Sequence, residues 1–512
     1  MTRIALSLGL VLGATGTAKL PPALPVQLTE IASPVGPGAS SASVTTAPDG
    51  TVWLSWLEPA GAVGTALRCA TLDPAAARWR GPRTIAAGRD LLANSSDMPS
   101  LAIEPDGCLT AVWPVSVGNS MSPAAGSGGH HRHEKTSAAR FSQSRDRGAT
   151  WSPPAPLSRE SSSNEFVAVE TLGDGRVLAT WLDARGKSGE RGVQQLFARV
   201  LGSKGPDVLV DASVCDCCQT TLTRFPDGSA LLAYRGRTGD ETRDIRVARF
   251  QDDQWERGRL LNPDGWQIAG CPVNGPQLAS VGGRAGIAWF TAAHGEPRVL
   301  ASVSPDAGAR FLQPIRLDHG QPLGRVDTAM LADGSLLVTW LEGGATPGLW
   351  LARIPPDFSP GQAVRLAALE PTRLRGFLRL ALVKDYDSTP ARLVVAFMGD
   401  DAVGALQTLL VTLPDLSTLA GRKPCVPCDE QDAAAVRGYA VKGRIVSVSP
   451  ERGTVVVQHE EIPGVMRAMT MEFHAAPDVV AEAKPGRPLL ARIERRGQPW
   501  WIFGVKWLGE TP

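Results

Sequence analysis

One short stretch, Val457–Phe473 (VQHEEIPGVMRAMTMEF), holds one imidazole and three thioethers: His459, Met466, Met469 and Met471. Three of the eight methionines in the 512-residue chain fall within six positions there, beside one of its seven histidines. Thioether sulfurs with a single imidazole select Cu(I), or Ag(I) in its place, over zinc, calcium or magnesium. Met469 and Met471 are two apart, so on a strand their side chains share a face. The Pro463–Gly464 turn can bring His459 and Met466 round to them. Methionines also fill small cores, but their density beside a histidine favours a metal site. The neighbouring Glu460, Glu461 and Glu472 suit surface or electrostatic support. On a regular strand His474 faces away from Met469 and Met471.

A second set of soft donors is made of cysteines. Three of the eight lie in Val214–Gln219 (VCDCCQ) as Cys215, Cys217 and Cys218, just before an apolar strand. Cys271 holds the equivalent place before the next such strand, and His294 follows that strand's end. Two readings stand side by side: a thiolate cluster for a soft metal, with His294 as a further ligand, and one or two disulfides such as Cys217 or Cys218 with Cys271. A redox-active thiol is a third. Cys69 and Cys108 are expected to be buried or paired with each other. Cys425–Val–Pro–Cys428 sits in a polar linker with no βαβ context, which favours a local disulfide over a metal or redox role. The loop Gly128–Glu134 gathers His130, His131 and His133, with Met121 upstream; short histidine-rich tracts bind transition metals, and a solvated loop is the plain alternative.

The elements that must position the first set are β-strands. From Tyr439 the chain reads YAVKGRIVSVSP, TVVVQHEEI, MTMEFH, PLLARIERR and WWIFGVKWL, with a helical turn over Ala476–Lys484. Five strands in about 75 residues suit a small OB-like barrel. This region, Tyr439 to Trp507, resembles the CusF-like periplasmic copper-binding family, in which a histidine precedes an A-M-T-M-x-F strand. The resemblance implies His459, Met469 and Met471 as copper ligands. Where the best-known members carry a tryptophan that caps the ion, this sequence has Met466, which makes Met466 the expected fourth ligand.

Upstream, one phrase recurs: an acidic-Gly turn, a few residues, then an aromatic closing an apolar strand. It ends at Trp56, Trp113, Trp181, Tyr234, Trp289 and Trp340, with a degenerate copy at Phe397, at spacings of 51 to 68 residues. Asp-Gly between apolar runs is a hairpin signal, and one hairpin in about 50 residues is the period of a four-stranded propeller blade. Helical periodicity is absent. Ser144–Trp151 (SRDRGATW) is a full S-x-D-x-G-x-x-W Asp-box and Ser304–Phe311 a second with Phe for Trp. Residues 40 to 415 thus resemble the sialidase-like, BNR-repeat propellers. Seven copies suggest seven blades where the family implies six. Val26–Ile31 is placed as the outer strand closing the last blade.

A scaffold is not a function. The R-I-P phrase that supplies a sialidase's first arginine is missing, and the chain has three tyrosines in all. Asp183, Arg185, Arg235 and Arg237 follow strand ends, where propeller pockets are lined, yet loop salt bridges account for them equally well. A glycoside hydrolase or copper-dependent enzyme, and a propeller that docks a copper client, are therefore the alternatives. Net charge is +1 with no basic block, which argues against nucleic acid. Arg3, the apolar Ile4–Leu12 and Gly16–Ala18 read as a secretory signal over 1–18, and no later run is long enough to span a membrane. The expectation is an all-β, exported, periplasmic protein: a six- or seven-bladed propeller (22–415), a linker (416–436) and a five-stranded barrel (437–512). It would bind Cu(I) for homeostasis, tolerance or delivery, working with a copper-delivery or efflux protein, and a second copper at the Cys-rich mouth is the further expectation.

Overall fold

The computed structural model describes residues 24–94, 96–117, 137–160, 163–185, 194–359, 361–370, 376–383, 390–399, 406–414, 439–460, 467–495 and 500–508. The chain divides into two compact units between Ala420 and Gly421.

The first unit is built from seven antiparallel sheets, six of four strands and one of five. Their innermost strands are Ser40–Thr46, Ser100–Ile103, Asn164–Thr171, Thr221–Arg224, Gln277–Val281, Pro322–Met330 and Arg379–Val383. These lie side by side in cyclic order, the seventh returning to the first, so the sheets are the blades of a seven-bladed propeller. The repeat count, not the six blades implied by the resemblance, is the one realised. Gln27–Ile31 is the outermost strand of the seventh blade, paired antiparallel with Leu406–Thr412 from Gln27↔Thr412 to Ile31↔Thr408.

The recurring phrase explains each blade. Its apolar run is the second strand, buried on both faces: all seven residues of Val177–Asp183 are buried. Such a strand reads as a continuous apolar run rather than an alternation. Trp56, Trp113, Trp181, Tyr234, Trp289 and Trp340 are fully buried between blades. Their polar edges need partners, supplied for Trp56, Trp181 and Trp340 by the carboxylate two residues on, Glu58, Asp183 and Glu342. At the turn before the strand, the aspartate accepts the N–H of the residue two further along, as Asp49 does from Thr51 at 2.9 Å and Asp333 from Ser335 at 2.8 Å. The glycine between them has positive φ (87° at Gly50, 86° at Gly334), which only glycine adopts freely. In the Asp-box, Asp146 accepts from the hydroxyl and the N–H of Thr150, and these bonds hold its carboxyl down to about 2.

The second unit is a closed five-stranded barrel. Around it run Tyr439–Ser449, Thr454–His459, Met469–Ala475, Trp500–Trp507 and Pro488–Arg495. One pairing is parallel, between Met469–Ala475 and Trp500–Trp507. A short helix, Pro477–Glu482, connects Met469–Ala475 to Pro488–Arg495. The core is apolar, with Val457, Phe473, Leu489 and Ile493 fully buried.

Candidate metal centre

The histidine and methionine strands of the barrel pair in unbroken antiparallel register, from Thr454↔His474 to His459↔Met469. Val455, Val457, Phe473 and Ala475 are buried, so odd-numbered residues of both strands face the interior. His459, Met469 and Met471 are odd-numbered too. His459 and Met469 are directly opposed, and Met471 stands opposite Val457 on the same face. Opposed residues on antiparallel strands have Cβ atoms about 4.5–5.5 Å apart, a separation that one soft ion can bridge.

Burial grades along this line of donors. Met471 is half-buried against the core, whereas Met469 is 50% exposed. The site therefore lies at the rim. His459 is only 3% exposed and packs edge-on to Phe473, ring centroids 6.1 Å apart. Its Nδ1 donates to the Glu460 carbonyl at 2.7 Å. That bond places the ring proton on Nδ1 and leaves Nε2 as a bare lone pair. Nε2 is buried with no hydrogen-bond partner among the described residues. A buried ring nitrogen normally has a partner, and this one stands on the strand face that also carries Met469 and Met471. Met466 and Glu461 lie outside the described residues.

The surroundings of this line follow from register. Gly443 pairs with His459 on the neighbouring strand, and a Cβ there would come within 2.6 Å of the Gln458 carbonyl oxygen. Only glycine lets the backbone behind the histidine close up, a requirement that spacing alone does not signal. Glu460 pairs with Lys442 Nζ at 3.0 Å, while Glu472 accepts from the Thr454 hydroxyl at 2.7 Å, so both serve the surface. His474 stacks on Trp501 on the other face, as its parity requires.

In the propeller, the Cys215–Cys218 string links blades 3 and 4, and Cys271 precedes blade 5. The structure brings the four sulfurs together and joins them as two disulfides, Cys215–Cys218 and Cys217–Cys271. The expected pairing of Cys217 with Cys271 is among them, and in this paired form no thiolate is offered to a metal. Cys215 and Cys217 Sγ lie 3.9 Å apart across the two bridges. The loops interlock: a Cβ on Gly275 would fall 2.1 Å from the Gln219 carbonyl oxygen. Arg243, itself buried, points Nη1 at Cys215 Sγ (3.6 Å) and is held by Asp216 (2.9 Å) and Glu241 (2.9 Å). Nothing in the spacing of Arg243 pointed to this role.

One expectation here is corrected, and for Cys69 and Cys108 burial rather than pairing is the alternative realised, fully at Cys69 and partly at Cys108. His294 does not join the cysteines: it is exposed in a left-handed turn (φ 59°) that carries it outward, and the grouped sulfur donors are those of Cys215, Cys217 and Cys218. Cys69 and Cys108 are both free rather than bonded to each other, since one is on a third strand and the other in an Asp-Gly turn. Burial pushes the Cys69 thiol up to about 11, which makes it inert. Cys425, Cys428, Met121, His130, His131 and His133 lie outside the described residues, as does the 1–18 segment.

The residues weighed for hydrolysis already have protein partners. Arg185 binds Asp183 and Asp207. Arg235 is fully buried, donates to the carbonyls of Asn274, Arg243 and Phe290, and lies over Trp266. Arg237 pairs with Glu241. Tyr234 donates its hydroxyl to Asp211 at 2.7 Å, and burial raises its ionisation further.

Residues 438–502 match the family described as the copper binding periplasmic protein CusF. Among solved structures, the propeller is similar to the BP39L lectin of Burkholderia pseudomallei at 12% identity, covering 74% of this chain and 96% of that one with a TM-score of 0.50. The Hadza microbial sialidase Hz136 (13% identity, 64% and 66% covered, TM-score 0.40) and the α-L-arabinanase of Penicillium chrysogenum (12%, 77% and 98%, 0.40) are also similar. These likenesses concern the fold. No curated protein sequence matches the chain.

Proposed function

We propose that this chain, a β-propeller joined to a CusF-type copper-binding domain, is an exported protein that takes up Cu(I) and passes it on. His459 Nε2, Met469 Sδ and Met471 Sδ are the ligands, with Met466 as the fourth. The single observation carrying this reading is the His459 imidazole, fixed through Nδ1 with Nε2 buried and unpartnered among the described residues, directly across from Met469.

The donor set also suits the task. All four ligands are neutral, so the bound ion keeps its charge and is held less tightly than by thiolates. Thioethers cannot pair into disulfides, so the ligands stay available in an oxidising compartment. Half-exposed Met469 is the ligand that an incoming donor from a copper-delivery or efflux partner would replace first. The propeller acts as scaffold, a role supported by guanidiniums already engaged with the protein's own carboxylates and carbonyls. The periplasmic setting rests on the matched family's description and the charged-then-apolar start of the sequence.

The test is anaerobic titration of the full chain with Cu(I) against a chromophoric chelator, beside a Met469→Ala/Met471→Ala variant. One tightly held copper that disappears in the variant is expected. Equal binding by both proteins would refute the assignment.

A further inference from the structure

We infer that the four cysteines between blades 3 and 5 form, once reduced, a second Cu(I) site within the propeller. Three observations carry this.

The first is geometric. Cys215, Cys217 and Cys218 place their sulfurs within 4.8 Å of one another in a buried pocket. Three thiolates each about 2.3 Å from a central ion stand about 4 Å apart in a trigonal plane, and Cys215 and Cys217 already lie at 3.9 Å. Reduction then has to part Cys218 from Cys215 and Cys217 from Cys271. The second is electrostatic. The Arg243 guanidinium, 3% exposed at its side chain, reaches Cys215 Sγ and offsets the negative charge of a metal–thiolate centre. The third is access. Cys215, Cys217 and Cys218 are buried, but Cys271 is exposed. A thiol reductant therefore has one point of entry.

Reduction proceeds by thiol–disulfide exchange. A thiolate of an external dithiol attacks Cys271 Sγ and Cys217 leaves as the thiolate. The dithiol's second sulfur then displaces Cys271, so the dithiol departs as a disulfide and two cysteines gain two electrons and two protons. The freed Cys217, beside Cys215, attacks Cys215 Sγ and releases Cys218; the Cys271 thiolate then attacks Cys217 Sγ and releases Cys215, and a second dithiol enters at exposed Cys271 to reduce the re-formed Cys217–Cys271 bond. Cu(I) then displaces one proton from each thiol it binds. Soft thiolates favour Cu(I), so the propeller would load copper only in its reduced form, while the thioether site of the barrel is indifferent to reduction.

The experiment uses the full chain with Cys425→Ser/Cys428→Ser, so that reduction alters only these four cysteines; Cys69 and Cys108 are free in both states. One sample is left oxidised and one is reduced with a phosphine, with thiol counts confirming four new thiols. Both are titrated with Cu(I) under anaerobic conditions. The reduced protein is expected to hold at least one more copper, with a thiolate-to-copper ultraviolet absorption that Cys217→Ser/Cys218→Ser removes. Equal stoichiometry in the two states, with the thiols counted, overturns the inference. Failure of the barrel assignment reads out separately, as copper in the oxidised sample that survives Met469→Ala/Met471→Ala.

Discussion

Replacing His459 with leucine should abolish tight copper binding and leave the metal-free barrel at least as stable as before. Among the described residues the imidazole makes one hydrogen bond, Nδ1 to the carbonyl of exposed Glu460, and leaves Nε2 buried without a partner. A buried unsatisfied polar atom costs about 1–3 kcal/mol, whereas one hydrogen bond contributes about 1 kcal/mol net. Leucine is of similar size and removes both, and water can take over the released carbonyl. The difference is a stabilisation of about 0–2 kcal/mol, or a rise of up to about 16 °C in the barrel's melting transition at about 4–8 °C per kcal/mol. Copper affinity should fall by more than about 100-fold, since losing even a residue that orients a metal ligand weakens a site by about 10–100-fold. Calorimetry of the full chain with and without Ag(I) checks both halves. Wild-type protein should gain about 2.7 kcal/mol at a hundredfold excess over Kd, and the variant nothing. If metal-free His459→Leu melts lower by more than about 1 kcal/mol, the ring is a packing residue with satisfied nitrogens and the ligand assignment fails.

Further expectations follow from burial. Met469→Ala, at a half-exposed position, should destabilise the barrel by less than about 1 kcal/mol yet weaken Ag(I) binding at least tenfold by isothermal titration. Asp97, whose carboxyl is pushed up to about 8 first by burial and then by nearby Glu165, is protonated in the folded propeller at pH values where the unfolded chain is ionised. Its contribution to stability is whole below the ordinary carboxylate range and is lost as pH rises toward 8, so Asp97→Asn should flatten the fall in urea midpoint between pH 4 and 8. Arg235→Met strands three backbone carbonyls, and should cost the propeller transition about 2–4 kcal/mol while leaving barrel copper unchanged.

Much of the architecture was legible because it repeats. Asp-Gly turns and the aromatics that follow them are local rules, each requiring a left-handed glycine or a buried ring, and seven copies predicted seven blades. That the proposed barrel ligands share a face was legible from parity: His459, Met469 and Met471 are all odd-numbered, and an unbroken register keeps them on one side. What stayed hidden depends on residues distant in sequence. Gly443 is needed because a different strand passes behind His459, and Arg243 reaches Cys215 from another loop across the blade. His294 was misplaced for the complementary reason: following the right strand does not fix a side chain's direction when the next residues enter a left-handed turn.

The strand Gln27–Ile31, hydrogen-bonded to Leu406–Thr412, ties the beginning of the propeller to its end. Its partner is synthesised some 375 residues later, which at about 5–20 residues per second is roughly 20–75 s of translation. Until then the ring stands open, with strand edges at both gaps ready to pair with the wrong neighbour. Under the export proposed above, a late last blade would keep a complete propeller from forming on the near side of the membrane while translation continues. An amino-terminal truncation beyond residue 31 should consequently behave as an assembly defect, yielding soluble protein in low amount even though it removes none of the metal ligands.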